Sequence, residues 1–269
     1  MKVDKIKTTS LVTKSKLPAS DFVINPYVGC PHACKYCYAR FMKRFTDHPE
    51  PWGEFIDIKI CEKPINLKSL EGKSIFMSSV TDCYNKYEKE FKITCGILEQ
   101  IKDINADITI CTKSDLILRD MNILKQIKNL TVAFSINTLN VLFQKDMDNA
   151  SGIEERLYAL KTLHDNGIRT VLFMSPIFPF ITDFKKIIER TKDYVSQYWF
   201  ENLNLRGDYK SAIMDYIKNK YPEFYKEYEK IYNRNDFGYW RNLEKEIAEY
   251  CGQNNIDFKN YFWHEKIRK

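Results

Sequence analysis

The stretch Asn25-Pro26-Tyr27-Val28-Gly29-Cys30-Pro31-His32-Ala33-Cys34-Lys35-Tyr36-Cys37-Tyr38-Ala39-Arg40 places three cysteines within eight residues. The chain has eight cysteines, and the other five (61, 83, 95, 111 and 251) are scattered. In a reducing compartment these are thiols rather than disulfides. Three thiolates at i, i+4 and i+7 on one tight loop can converge on a single inorganic centre, and two centres compete. Cys30, Cys34 and Cys37 with His32 make a Cys3His zinc set, although His32 stands closer to its neighbouring cysteines than a usual zinc spacing allows. Alternatively, the three cysteines hold three irons of a 4Fe–4S cluster and leave the fourth iron open. An open coordination position separates a catalytic centre from a structural one.

On either side of this loop, short β-rich runs alternate with helical patterns. Runs 22–28, 74–79, 107–112, 131–136, 169–174 and 199–205 are mostly apolar and rich in Val, Ile, Phe or Thr, as strands buried on both faces should be. Segments 88–104, 121–127, 153–166 and 184–195 carry apolar residues near a 3.6 period, and another helix is expected to begin near Tyr36. Gly167 follows its helix as a C-cap and leads at once into a strand. The alternation implies βαβ crossovers and a parallel sheet. Six units fall short of a closed eight-fold barrel. An α/β fold is therefore expected, a partial (β/α)6 TIM barrel with its site at the C-terminal edge of the strands. The expected division is a basic N-terminal leader (1–21), the core (22–206) and an aromatic-rich helical C-terminal extension (207–269).

With 269 residues, 44% hydrophobic and 29% charged, collagen-like, low-complexity and natively disordered classes are excluded. No apolar run approaches the roughly 18–20 residues that span a bilayer, and the first eight residues carry charges where a secretory signal needs an apolar run. A cytoplasmic protein without a membrane partner is expected. The net charge is +6; residues 1–50 hold nine Lys/Arg against four Asp/Glu, whereas 210–269 are nearly balanced. The basic N-terminal fifth reads as a solvated lysine-rich leader or as a surface for nucleic acid or a nucleotide. Eighteen of the 38 aromatic residues fall in 198–269, with helical runs expected over 221–232 and 239–250. They read as a layer over the open side of the sheet or as a stacking surface for flat groups.

The spacing Cys30-x3-Cys34-x2-Cys37, with Tyr36 before the third cysteine, resembles the radical S-adenosylmethionine (SAM) superfamily. The phrases Ser79-Val80-Thr81-Asp82-Cys83-Tyr84, Thr112-Lys113-Ser114-Asp115 with Arg119-Asp120, Phe134-Ser135-Ile136-Asn137-Thr138-Leu139, Ser175-Pro176-Ile177-Phe178-Pro179 and Glu201-Asn202-Leu203-Asn204-Leu205 extend that likeness. In this order they resemble the spore photoproduct lyase-like (DNA-repair photolyase-like) branch, and most of all radical SAM mobile pair protein B. By motif the likeness covers roughly residues 20–206.

The resemblance implies Cys30, Cys34 and Cys37 as ligands of a 4Fe–4S cluster whose open iron is chelated by SAM. It implies reductive cleavage of SAM to a 5′-deoxyadenosyl radical that abstracts hydrogen from an unidentified substrate, in lyase- or oxidoreductase-type chemistry. The alternatives are spore photoproduct lyase-like DNA repair and a non-catalytic metal-bearing nucleic-acid-binding module. Tyr36 would lie against adenine, Lys113 would meet the SAM carboxylate or ribose, and Thr81 and Ser135 would hydrogen-bond its methionine or ribose. Asp82 and Asn137 would complete that rim, and Pro176 would shape the adenine loop. The lyases carry a hydrogen-donating cysteine where this chain has Ser79, whose O–H is a much poorer hydrogen-atom donor. That leaves Cys83 as the nearby substitute and Tyr38 as a relay, the two candidate catalytic residues. His164 and His264 read as structural or exposed. The expected partners are a nucleic acid or nucleotide substrate, an external electron donor and a second radical SAM protein.

Overall fold

A computed structural model describes residues 1–17 and 20–263. In chain order its elements are β1 (Lys2–Lys7), β2 (Val12–Lys14), β3 (Phe22–Ile24), β4 (Tyr27–Gly29), β5 (Phe55–Ile60), β6 (Ser74–Met77), α1 (Glu88–Phe91), α2 (Ile93–Ile101), β7 (Asp107–Thr112), α3 (Met121–Leu124), β8 (Leu130–Ser135), α4 (Val141–Met147), α5 (Ile153–Asp165), β9 (Arg169–Ile177), α6 (Phe184–Thr191), β10 (Gln197–Asn202), α7 (Tyr209–Lys220), α8 (Pro222–Tyr232), α9 (Gly238–Gln253) and β11 (Phe258–Asn260). Strands β3, β6, β7, β8, β9 and β10 lie side by side and parallel, the expected (β/α)6 sheet. Antiparallel β2 borders it at one edge and parallel β11 at the other, and the described strands do not close into a barrel.

Alternate residues of a strand face opposite sides of the sheet, and here the two sides differ in kind. Ile75, Met77, Ile108, Ile110, Val132, Phe134, Leu172, Met174 and Phe200 are buried with the apolar faces of the helices in one large core. Each such side chain contributes about 1.5–3 kcal/mol by leaving water. On the other side Phe76, Cys111, Ala133, Val171, Phe173 and Trp199 cluster with Tyr261 and with no helix residue. This second side is the concave face of the open barrel, and the strand tips around it carry the candidate residues.

Several elements depart from the pattern read in the sequence. The run 22–28 is two strands in two sheets, because Pro26 has no N–H to donate to a continuing ladder. β3 joins the main sheet, while β4 joins a second sheet of order β1-β5-β4. The helix expected over 88–104 is broken at Lys92, which adopts φ +50° between α1 and α2. The helix expected near Tyr36 is a 3-10 segment, Tyr38–Phe45. Of the residues expected as a leader, β1 pairs along β5 and β2 pairs with β3. Among the described residues the tail holds α8 and α9, where helical runs are expected, and α7 before them, and it returns through β11 to the main sheet. His264 lies outside the described residues. No described helix is long and apolar enough to cross a membrane.

Gly29 ends β4 at φ +83°, and a Cβ there would stand 2.4 Å from the Phe55 carbonyl oxygen. Backbone contact and dihedral both demand glycine one residue before Cys30. Gly29→Ala should therefore lower stability by about 1–3 kcal/mol or more in denaturant unfolding. Gly96→Ala, in α2 with open space around it, should leave stability unchanged or raise it by up to about 1 kcal/mol.

Candidate active site

The cysteine loop leaves β4 and is pinned from two sides. Lys35 N–H donates to Met147 O (2.9 Å) and Asn149 N–H to His32 O (2.8 Å), which docks the loop on the end of α4. Cys37 N–H donates to Cys34 O (3.1 Å) and Ala33 N–H to Cys30 O (3.2 Å), which turns the chain between the sulfurs. Cys30, Cys34 and Cys37 are free thiols. Burial raises all three. Cys30 is raised further by Asp82 and by the other two sulfurs. Cys34 is pushed up to about 12 by burial despite the nearby Lys113 ammonium. Cys37 is raised by burial against the opposing Ala39 N–H and Trp52 indole N–H. Three sulfurs that resist ionisation together become thiolates when a cationic centre binds them.

Which centre fits can be tested on the donor set. His32, the fourth zinc ligand in one reading, is buried and turns its Nδ1 to Asp82 (3.4 Å). Burial lowers its pKa despite that carboxylate. Ligands of one tetrahedral zinc, about 2.3 Å from the ion, sit within about 4 Å of one another. Among the described residues, the three cysteine sulfurs do not all lie within 4.8 Å of one another. The indole N–H of Trp52 is buried without an oxygen acceptor and favours the Cys37 thiolate, as N–H donors beside cluster sulfur do. Three free thiols, with His32 turned to a carboxylate and an N–H donor beside Cys37, suit a polynuclear cluster better than a Cys3His zinc ion.

The strand tips around the loop form a connected polar rim. Asp82 is buried and accepts from Tyr84 N (2.9 Å), Thr112 Oγ1 (2.8 Å) and Lys113 N (2.8 Å), fastening the tip of β6 to that of β7. Thr81 Oγ1 donates to Gly29 O (2.6 Å). Ser135 Oγ donates to Ser175 O (3.1 Å), and Asn137 Nδ2 to Pro176 O (3.0 Å). Tyr36 is buried, with its hydroxyl on Asp148 (3.3 Å) and the Lys113 Nζ 5.8 Å from its ring centre. Burial works against the Lys113 charge, but Cys34 and Asp148 outweigh it and hold its pKa above the ordinary value. The rim expected from the sequence thus assembles at one edge of the sheet.

The two candidate catalytic residues separate. Tyr38 is 56% exposed, donates to Ser79 O, and feels Glu201, Cys37 and Cys111 after the surrounding protein walls. Cys83, by contrast, is fully buried in the helix-side core. Its N–H is held by Ser78 Oγ (2.8 Å) and its carbonyl by Thr94 Oγ1 (2.6 Å). It does not face the concavity with Tyr38. The thiol that does is Cys111, on the tip of β7. Burial, with Asp82 and Glu201 opposed by Lys113, pushes it to about 12, so it keeps its S–H at neutral pH. Glu201, which accepts a hydrogen bond from Ser175 Oγ, stands on the same face. Ser79 Oγ accepts from Asn25 Nδ2 (2.9 Å), which fixes that hydroxyl just beyond the tip of β6. Strand parity could have found Cys111: Ile108 and Ile110 face the helices, so position 111 faces the concavity.

A buried ion pair, also missed, stands behind the loop. Arg156 is 2% exposed and donates to Asp148 Oδ1 (2.5 Å), Ser151 O (2.7 Å) and Ser135 O (3.2 Å). Asp148 also accepts from Gln144 Nε2 (2.9 Å) and Ala150 N (3.1 Å).

Residues 24–191 match the Radical SAM superfamily profile. An uncharacterized protein of Methanocaldococcus jannaschii is 41% identical over 239 residues, 88% of this chain and 89% of that protein. Among solved structures, spore photoproduct lyase complexed with a dinucleoside spore photoproduct is similar in fold, with TM-score 0.60 and 16% identity over 82% of this chain and 66% of the lyase. Streptococcus suis SuiB bound to S-adenosylmethionine is similar with TM-score 0.55 and 18% identity over 88% of this chain and 49% of SuiB. The chain thus spans about two thirds of the lyase's length and about half of SuiB's.

Asp148→Ala leaves the buried Arg156 guanidinium unpaired. It should cost about 3–5 kcal/mol in denaturant unfolding. Replacing an exposed partner, as in Glu154→Ala beside Arg190, should change stability by less than about 1 kcal/mol.

Proposed function

Because the chain belongs to the radical SAM superfamily, whose members use a 4Fe–4S cluster and SAM, we propose that Cys30, Cys34 and Cys37 hold the cluster and leave one iron open to SAM. The observation that carries this reading is the trio of free thiols on one loop at the C-terminal edge of the parallel strands, with His32 engaged by Asp82. When bound, the pair supplies reductive cleavage of the SAM sulfonium and hydrogen abstraction from substrate. The protein's own residues supply place and charge. Lys113 brings a cation beside Cys34, where it would offset thiolate charge and meet the SAM carboxylate. Thr81, Ser135 and Asn137 hold the backbone of Gly29, Ser175 and Pro176, so the loops around the cofactor keep one shape. Tyr38 and Cys111 line the concave face as the phenol and thiol nearest the reaction space, with Cys111 in place of the buried Cys83.

Protein purified without oxygen should be brown, with absorbance near about 400 nm and about four irons per chain. Dithionite and SAM should release 5′-deoxyadenosine, and Cys34→Ala should abolish both iron uptake and release. Stoichiometric zinc without iron uptake overturns the reading.

A nucleic acid or nucleotide substrate is a second reading, favoured by one surface. The segment Tyr38–Phe45 follows Cys37 directly and exposes Phe41 and Phe45, with the Arg44 guanidinium 4.6 Å from the Phe45 ring centre. Bases stack on exposed aromatics while arginine meets phosphate. The solved lyase that shares this fold carries a dinucleoside lesion. Affinity for a fluorescent single-stranded oligonucleotide should fall steeply with salt and by about tenfold in Phe45→Ala; no binding, or salt-independent binding, removes this reading.

A further inference from the structure

The β1–β5 ladder puts Asp4 directly beside Asp57. Paired residues of adjacent strands share a face, so two carboxylates meet there with no apolar spacer. Between 48 and 57 the chain folds back so that the His48 ring stacks on Phe55, with centres 4.0 Å apart and planes 19° apart. That stacking aims Nε2 at Asp57 Oδ1 (2.7 Å) and Nδ1 at Glu50 Oε2 (3.3 Å). One ligand atom from each of Asp4, His48 and Asp57 lies within 4.8 Å of the others. Asp57 is buried; Asp4 and His48 are half-buried.

From this geometry we propose a divalent transition-metal site formed by Asp4, His48 and Asp57, separate from the cysteine loop and independent of the reading of that loop. Imidazole with two carboxylates is a borderline-to-hard donor set of the kind zinc and its neighbours accept, and three protein ligands leave a position for water. Glu50 on the second ring nitrogen reproduces the carboxylate–histidine arrangement that fixes the tautomer of a metal-ligating histidine. Charge points the same way. With His48 neutral, Asp4, Glu50 and Asp57 carry three negative charges, and Lys2, 3.2 Å from Asp4, and Lys59, on the same face of β5 as Asp57, return two. The cluster is left with one net negative charge, which favours a cation. The same contacts without an ion describe an imidazolium held between two carboxylates, and that is the competing state.

The site's place gives it a structural consequence. Asp57 lies opposite Val28 on the other side of β5, two residues before Cys30. The 48–57 segment also packs on the loop, where a Cβ on Gly53 would stand 2.8 Å from that of Ala33. An ion here staples β1, β5 and the 48–57 segment into the sheet from which the cysteines emerge.

Cobalt(II) is the probe, because its visible ligand-field bands report bound metal whatever the donors, while a strong near-ultraviolet charge-transfer band appears only with thiolate ligands. The full chain, stripped of metal, is titrated beside a variant with Cys30→Ser, Cys34→Ser and Cys37→Ser. The serine variant should bind one equivalent showing the visible bands without the sulfur band, and the Asp4 and His48 substitutions are made in that background. Asp4→Asn and His48→Gln should each weaken that binding by at least about tenfold. Circular dichroism checks folding, and Asp4→Asn decides the matter if His48→Gln unfolds. No visible-band equivalent, one unaffected by either substitution, or one lost with the cysteines overturns the site.

Discussion

The buried pair between Arg156 and Asp148 fixes where the cysteine loop sits. A guanidinium 2% exposed is tolerable only with its donors satisfied, and here they reach a carboxylate and two carbonyls, one of them Ser135 O at the tip of β8. Asp148 passes that constraint on through Tyr36, whose hydroxyl it accepts one residue before Cys37. Met147 and Asn149 on either side of Asp148 hold the loop backbone directly. The helix-side strand tip, the end of α4 and the cysteine loop are therefore one unit. The pair also largely cancels its own charge, which leaves Lys113 as the cation that acts on Cys34.

Around that unit the polar residues spend their hydrogen bonds on backbone. Asp82 joins two strand tips, Thr81 holds the residue before Cys30, and Ser135 and Asn137 hold the loop after β9. Such an arrangement is rigid before any ligand enters, the condition under which fixed dipoles stabilise charge without reorganising. The side chains of Thr81, Ser135 and Asn137 thus hold the backbone carbonyls of Gly29, Ser175 and Pro176.

The main sheet was legible because its strands are buried on both faces and announce themselves as apolar runs; 107–112 coincides with β7 to the residue. The small sheet was hidden for the opposite reason. β1 reads Lys-Val-Asp-Lys-Ile-Lys and is half-solvated, so its charges looked like a leader and its pairing partner β5 was not assigned. Pro26 concealed the boundary between two strands inside one apolar run. The cysteine spacing carried the ligand set, since a loop motif is local. The Arg156–Asp148 pair and the His48 cluster join residues by tertiary contact alone, and no local pattern encodes them.

Cys83 and Cys111 show how far parity can carry such an argument. Cys83, four residues after Ser79, points to the opposite face if the strand continues; it stands beyond the end of β6, and the chain turns it into the large core. Cys111 lies inside β7, where Ile108 and Ile110 are committed to the helices, so its thiol must face the concavity. There it lies within electrostatic reach of the Tyr38 phenol and the Glu201 carboxylate, while Phe76, Phe173, Trp199 and Tyr261 form an apolar floor. The rings of Phe173, Trp199 and Tyr261 meet edge to face across that floor, so they brace one another and hold the strands of the concave face in place.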